Sequence, residues 1–317
     1  MKTMRDQLIL FGADGLAQRK PAPEDVRRVT WASEIASSNP EEIAYLHAGL
    51  CLAALPHRKP RDEFATWSRV NGNYHLVVRP GIMPRRGQEV VDPIGLPYGT
   101  RARLILIYLM GEAVRTRSAD VPLGSGLSAW LRRIGLPVSG GPRGSIGAIR
   151  EQALRVARCS WTLRIDNNER TAIIDGRIVD GFEAWAGEGA NFPEFVQIDQ
   201  KFFNHLIEHA VPLDERAIAR LKRSALSLDL YVWLAYRLPR LTKPLFLRWD
   251  QLSSHFGTED LSERSFGQNV RAALEDVLAC YPDAKVEAVR GGLRLSPSAP
   301  SVPKRHISIL QPLHKKL

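Results

Sequence analysis

The chain has 317 residues, a formal net charge of +10, and 25% charged against 44% hydrophobic residues. That composition supports packed cores and excludes a disordered chain, and the length allows two domains. No stretch approaches the roughly 18 apolar residues of a membrane span, and the apolar run Leu8 to Gly12 is too short for a signal segment, so the expectation is a cytoplasmic protein. Cys51, Cys159 and Cys280 are too few and too dispersed for a disulfide framework or a zinc cluster, and read as buried thiols. Arginine outnumbers lysine 34 to 10. Its planar fork suits phosphate and guanine, so the basic surface points to nucleic acid.

Residues 1–60 read as an N-terminal arm with helical pieces. One helix starts near Pro21 to Pro23. A second runs from Asn39-Pro40 through Tyr45 and Leu50 to Leu55 and is closed by Pro56 and Pro60. Asn71-Gly72-Asn73 between β-favouring runs predicts a hairpin over 64–80.

The remainder contains an internal repeat. Its first copy opens with an apolar helix from Thr100 to about Arg117 and a short helix from Ser125 to Ile134. A glycine-rich turn, Gly140-Gly141-Pro142-Arg143-Gly144, leads to a third helix from Ser145 to Cys159 and a strand from Trp161 to Ile165. The second copy has a helix from Asp214 to Arg237, a short helix from Trp249 to Phe256, and a third helix from Ser265 to Cys280. A strand from Lys285 to Val289 then turns at Gly291-Gly292 into Leu293 to Leu295. Tyr108 to Gly135 spans 27 positions and Tyr231 to Gly257 spans 26, and both third helices open Ser-x-Gly. Two helices, a turn, a third helix and a hairpin is the order of a winged helix-turn-helix. The fold class is therefore α+β, with two tandem winged helix-turn-helix domains, an N-terminal helical arm and a β-hairpin. The expected boundaries are 1–60 for the arm, 61–200 and 201–296 for the two domains, and 297–317 for a flexible basic tail.

On a helical wheel Phe266, Val270, Ala273, Leu274 and Val277 make an apolar back, opposite Gln268, Arg271 and Glu275. Ser265 reads as the N-cap, with Arg264 before it. This is the layout of a recognition helix, because arginine and glutamine match guanine and adenine edges. In the first copy Ile146, Ile149, Ala153 and Val156 make the core side. Ala148, Glu151 and Arg155 face away, Gln152 lies on the flank, and Arg150 leans to the apolar side as a structural residue. The turn at Arg143, with Ser145 opening the helix, suits phosphate. Residues 101–164 hold 11 Arg, no Lys and 3 acids. Arg164 and Arg170 sit on the first hairpin, Arg290 and Arg294 on the second.

His205-Leu206-Ile207-Glu208-His209 matches a zinc-peptidase pattern. It defines a metal-dependent hydrolase as an alternative, but no third ligand is evident, and core or surface histidines are the favoured reading. A nicking enzyme's His-x-His, a Walker lysine and a dinucleotide fingerprint are all lacking. The expectation is no catalysis and no cofactor.

The stretch Ser227-Leu228-Asp229-Leu230-Tyr231-Val232-Trp233-Leu234-Ala235-Tyr236-Arg237 resembles the helix opening the C-terminal half of plasmid RepA-type replication initiators, which have twin winged helices. Leu55-Pro56-His57-Arg58, Trp67-Ser68-Arg69-Val70-Asn71-Gly72-Asn73, Gly95-Leu96-Pro97-Tyr98-Gly99 followed by Arg101-Ala102-Arg103, and Gly141-Pro142-Arg143-Gly144-Ser145-Ile146 match in the same order. The resemblance covers most of 45–295. It implies binding to repeated double-stranded origin sites (iterons), origin opening, and loading of the helicase with host replication proteins such as a host initiator. It also implies autoregulation and a homodimer formed through the first unit. Carried over by position, Arg264, Ser265, Gln268 and Arg271 contact DNA from the second unit. Arg143, Ser145, Gln152 and Arg155 do so from the first, or lie near the dimer interface. A transcriptional repressor without a replication role is the main alternative.

Overall fold

The computed structural model describes residues 3–85, 87–124, 126–141, 144–166, 171–182, 195–256 and 262–303. In chain order these form α1 (Met4–Arg19), α2 (Pro23–Ser37), β1 (Ile43–His47), α3 (Ala48–Leu52), β2 (Trp67–Asn71), β3 (Tyr74–Arg79), β4 (Gly81–Pro84), β5 (Val91–Ile94), α4 (Gly99–Thr116), β6 (Asp120–Pro122), α5 (Leu127–Arg133), α6 (Ser145–Arg158), β7 (Ser160–Asp166), β8 (Thr171–Gly176), β9 (Val179–Phe182) and β10 (Phe195–Ile198). Then follow α7 (Gln200–His209), β11 (Ala210–Asp214), α8 (Glu215–Leu221), α9 (Ala225–Arg237), β12 (Leu245–Arg248), α10 (Trp249–Phe256), α11 (Glu263–Cys280), β13 (Lys285–Val289) and β14 (Gly292–Ser296). The architecture is mixed α and β. It divides into a central unit, Tyr45–Ala210, and a terminal unit made of Met1–Ala44 with Val211–Leu317.

The central unit is organised around α4, whose residues 102–113 are all buried. Such an all-round apolar helix has no solvent face and must be surrounded by other elements. It packs against α6. The hairpin expected over 64–80 forms as β2 and β3, with Asn71 paired to Tyr74 across a two-residue turn. Gly72 takes φ +55 there, a conformation that glycine adopts without a Cβ clash. This hairpin joins β7 and β8 in a four-stranded sheet, β2-β3-β7-β8. Leu76 opposite Leu163 and Val78 opposite Trp161 form its buried face. Buried Arg103 donates to the carbonyls of Leu55 (2.7 Å), Pro56 (3.2 Å) and Gly99 (2.9 Å), tying the Leu-Pro-His-Arg segment to the start of α4.

The terminal unit is organised around α9, buried from Ser227 to Ala235. The single long helix expected from Asp214 is two helices. Ser224 accepts a hydrogen bond from the Ser227 N–H and starts α9 afresh. α11 packs its apolar back on α9, and β12, β14 and β13 form a three-stranded sheet in that order. Gly292 is obligatory by contact, since a Cβ there would lie 1.9 Å from the Leu247 carbonyl oxygen.

Three sequence expectations are corrected. Residues 3–37 are not a separate arm: α2 packs on α11, where Arg28 meets Glu275 (2.7 Å) and Asp276 (2.8 Å), and Arg5 meets Asp283 at 2.6 Å. The helix expected over 41–55 is instead β1 followed by the short α3. Tyr45, Leu46 and Ala44 are all buried, and a short continuous apolar run does not distinguish a two-sided strand from a buried helix. The tail is packed at its start. Val302 is fully buried and the Tyr281 hydroxyl donates to the Ala299 carbonyl at 2.5 Å, while residues 304–317 lie outside the described residues.

Both copies of the repeat show helix, strand, helix, helix and hairpin in the same order. Their sheets differ. In the terminal unit β12 pairs directly with β14 of the hairpin, whereas in the central unit β6 pairs with β10, and the β7–β8 hairpin pairs with β3.

Candidate nucleic-acid interface

α11 starts one turn earlier than its sequence signal. Its N-cap is Ser262, whose hydroxyl accepts from the Ser265 N–H at 3.3 Å. Ser265 is therefore inside the first turn, half-buried, with its hydroxyl accepting from that of Ser262 at 2.9 Å. Phe266, Val270, Ala273, Leu274 and Val277 are buried as the wheel predicts. Arg264, Gln268 and Arg271 are exposed and, at spacings of four and three, share one face of the helix. Asn269 is exposed on a neighbouring strip; the sequence reading passed over it, although its polar amide in the first turns was a visible signal.

Arg271 is held in place. Its guanidinium lies over the Trp249 ring, 4.7 Å from the centroid, at the start of α10. Gly267 lies against the same indole, where a Cβ would meet the ring at 3.4 Å, an ordinary contact distance. Further along α11, Arg28 binds Glu275 and Asp276 together, and also Asp25 on its own helix, which partly offsets their negative charge. The β13–β14 hairpin places Arg290 exposed at its turn and Arg294 exposed on β14, across from Glu287 at 3.7 Å. Phe246 on β12 is Arg294's other neighbour in the sheet, and it is exposed as well.

The central unit places its expected residues differently. Ser145 is buried, and its hydroxyl donates to the Pro137 carbonyl and accepts from the Ser139 N–H at 3.1 Å. Gln152 is buried and accepts from the Tyr98 N–H at 2.9 Å. Arg155 is buried too, paired with Glu63 and with Glu151 (2.8 Å), and donating to the Leu96 carbonyl at 2.9 Å. Burial would raise the Glu63 carboxyl, but hydrogen bonds from Lys59 and Arg155 outweigh it and hold the group below the usual carboxylate range. Each of these three side chains makes its own interior contacts and none faces outward. The wheel placed Arg155 outward and Gln152 on the flank, but α6 packs against α4 and also against β4, β5 and β9, so more than one side is covered. Arg150, assigned to the apolar side, is exposed. Arg164 is exposed on β7 and paired with Asp166 at 2.8 Å. Arg143 and Arg170 lie outside the described residues.

The His205 motif acquires a partner that the sequence did not foreshadow. The Nδ1 of His47 accepts from the Gly49 N–H at 3.0 Å, which leaves the proton on Nε2 to be donated to His205 Nδ1 at 2.6 Å. Burial first, then the neighbouring His205 and His209, lower the His47 pKa to about 3. Among the described residues, no group of three or more His, Cys, Asp or Glu side chains is arranged to hold a metal ion. Among them also, no helix is long and apolar enough to cross a membrane.

Chemically, α11 and its hairpin offer fixed guanidinium and amide donors on an exposed surface, a set suited to a polyanion with hydrogen-bonding edges. Residues 96–251 match the family model described as plasmid encoded RepA protein. The RepA-type resemblance read in the sequence is thereby shown. The matched segment takes in α4, α6 and α9 and ends within α10, ahead of α11. Comparison with curated proteins gave no match. Among solved structures, a selenomethionine crystal structure of domains 2 and 3 of RctB is 14% identical, with 77% of this chain and 93% of that chain covered and a TM-score of 0.47. A second structure of RctB domains 2–3 is also 14% identical, with 72% and 82% covered and a TM-score of 0.45.

Proposed function

We propose that the protein is a plasmid replication initiator that binds repeated double-stranded DNA sites, with each helix–strand–helix–helix–hairpin set acting as a winged-helix unit. One observation carries this reading: the exposed Arg264–Gln268–Arg271 face of α11 beside the arginine-bearing β13–β14 hairpin. In this reading the first turns of α11 enter the major groove. Arg271 reads a guanine edge and Gln268 an adenine edge, while Arg264 and Ser265 contact the backbone. Arg290 and Arg294 on the hairpin take phosphates or the minor groove. The central unit contributes backbone contacts through Arg150 and Arg164, with Arg143 at the glycine-rich turn, and serves homodimerisation. Ser145, Gln152 and Arg155 shape that unit from inside. Occupancy of several sites opens the origin and recruits the host helicase.

The test is a DNase footprint of the purified protein on DNA flanking its own gene. Several tandem direct repeats, each protected over about two helical turns, are the expected result. A single inverted repeat over the promoter would make the protein a regulator. Equal binding to random DNA with no protection would remove sequence-specific recognition altogether.

A further inference from the structure

The central unit contains a cavity that the DNA reading does not use. It lies among α4, α5, α6, β9 and β10 and measures about 230 Å³. Its walls include Ile105 and Leu109 of α4, Trp130 of α5, Val156 of α6, Val179 of β9 and Val196 of β10, all buried. Protein interiors are close-packed, and voids larger than a water molecule are few. This cavity is well above that scale. Its lining is predominantly apolar, so it disfavours water and suits hydrocarbon.

Two charged side chains of α6, Arg150 and Glu151, line the same cavity and are exposed, so it reaches the surface beside them. Their charges are not equivalent. Glu151 is bound to the buried Arg155 at 2.8 Å. Arg150 makes no ion pair among the described residues. The mouth therefore offers one guanidinium at the end of an apolar space. An engineered apolar cavity of about 150 Å³ takes benzene, and by that measure this one takes a single chain of roughly nine carbons. A two-chain lipid exceeds it. A wholly apolar molecule leaves the guanidinium unused, and a cationic one is repelled by it.

We propose that this cavity is a binding site for a single-chain amphiphilic carboxylate, a medium-chain fatty acid. The hydrocarbon chain lies between α4 and α6, against Ile105, Leu109 and Val156, and the carboxylate accepts two N–H bonds from the Arg150 guanidinium at the surface. Burial of the chain supplies affinity, and the arginine fixes which end stays at the mouth. The site stands independently of the DNA reading above, in which Arg150 meets a phosphate. One guanidinium serves one of those two anions at a time.

The experiment is isothermal titration calorimetry of the full-length protein with octanoate, without DNA and below the concentration at which octanoate forms micelles. Octanol, which has the same chain and no charge, is the comparison. Two variants are titrated alongside: Arg150→Gln, which removes the cation at an exposed position, and Ala153→Leu, which adds bulk to the cavity lining. Thermal unfolding of the same preparations establishes that each is folded. The expected result is one octanoate per wild-type chain, with octanol bound at least about tenfold more weakly. Arg150→Gln should lose about tenfold in octanoate affinity and bind the two ligands alike, and Ala153→Leu should bind neither. No octanoate binding by the wild type overturns the proposal. So does equal wild-type affinity for octanol, which would take the carboxylate away from Arg150. Uptake of many equivalents per chain, or unchanged affinity in a folded Ala153→Leu protein, also overturns it, since the ligand would then lie outside the cavity. If the bulkier variant does not fold, Arg150→Gln decides: octanoate affinity equal to that of the wild type overturns the site.

Discussion

The guanidinium of Arg271 on α11 stacks over the indole of Trp249 at the start of α10, 4.7 Å from the ring centroid. The contact joins α10 to α11 and orients the side chain that the sequence nominated as a base reader. A preordered arginine loses less rotamer entropy on binding than a freely moving one.

Arg271→Ala is expected to blur base preference, costing about 1–3 kcal/mol of discrimination at one base pair. Arg290→Ala is expected to weaken binding to every sequence alike and to lower the salt slope by roughly one unit. Titrations of specific and random duplexes at several salt concentrations check both. Equal losses on the two duplexes for Arg271→Ala would remove it as a reader.

Arg155→Ala should act on stability, not on DNA. Removing the guanidinium leaves the half-buried Glu63 with Lys59 alone and deprives the buried Leu96 carbonyl of its donor, for a loss of about 1–3 kcal/mol. Urea denaturation measures it. Arg155→Met, which retains the apolar stem, should fold better than the alanine variant and bind DNA normally. Selective loss of DNA binding in a stably folded Arg155→Met protein would restore this residue to the interface.

His47 should make stability fall in acid. Its folded pKa of about 3 lies below its ordinary value of 6.5, so between these limits the unfolded chain binds a proton that the folded chain does not. The contribution is absent above pH 6.5. Stability is lost as pH falls below it, at about 1.4 kcal/mol per unit. His47→Asn, whose side chain can still accept from the Gly49 N–H without titrating, should flatten the profile in chemical denaturation between pH 7 and 5. An unchanged slope would show that the acid sensitivity arises elsewhere.

The thiols of Cys159 and Cys280 should resist alkylation in the native protein, since burial raises each to about 12. Labelling followed by mass spectrometry, with and without denaturant, tests this. Fast native labelling at either position would indicate local opening of its unit.

The sequence by itself determined the features that rest on local pattern. The repeat, the hairpin at Gly72, and the exposed Arg264, Gln268 and Arg271 with the buried Phe266 and Val270 all follow from helical or strand periodicity and turn chemistry within a few residues. Even the shared Ser-x-Gly is only locally the same: Gly267 packs under Trp249, whereas Gly147 faces open space. Tertiary structure alone decided which arginines are interior and which distant residues meet. Arg155 reads as an outward contact until the chain brings the Glu63 carboxylate to it, the interior role of Arg103 appears only when the Leu55 carbonyl reaches it, and the partner of His205, His47, lies far away in sequence. Residues 3–37 read as an arm until Arg28 meets Glu275 and Asp276 on α11. A wheel records the angle of a side chain about its own helix. Whether that angle faces water or a partner depends on elements tens to hundreds of residues away, which only packing brings together.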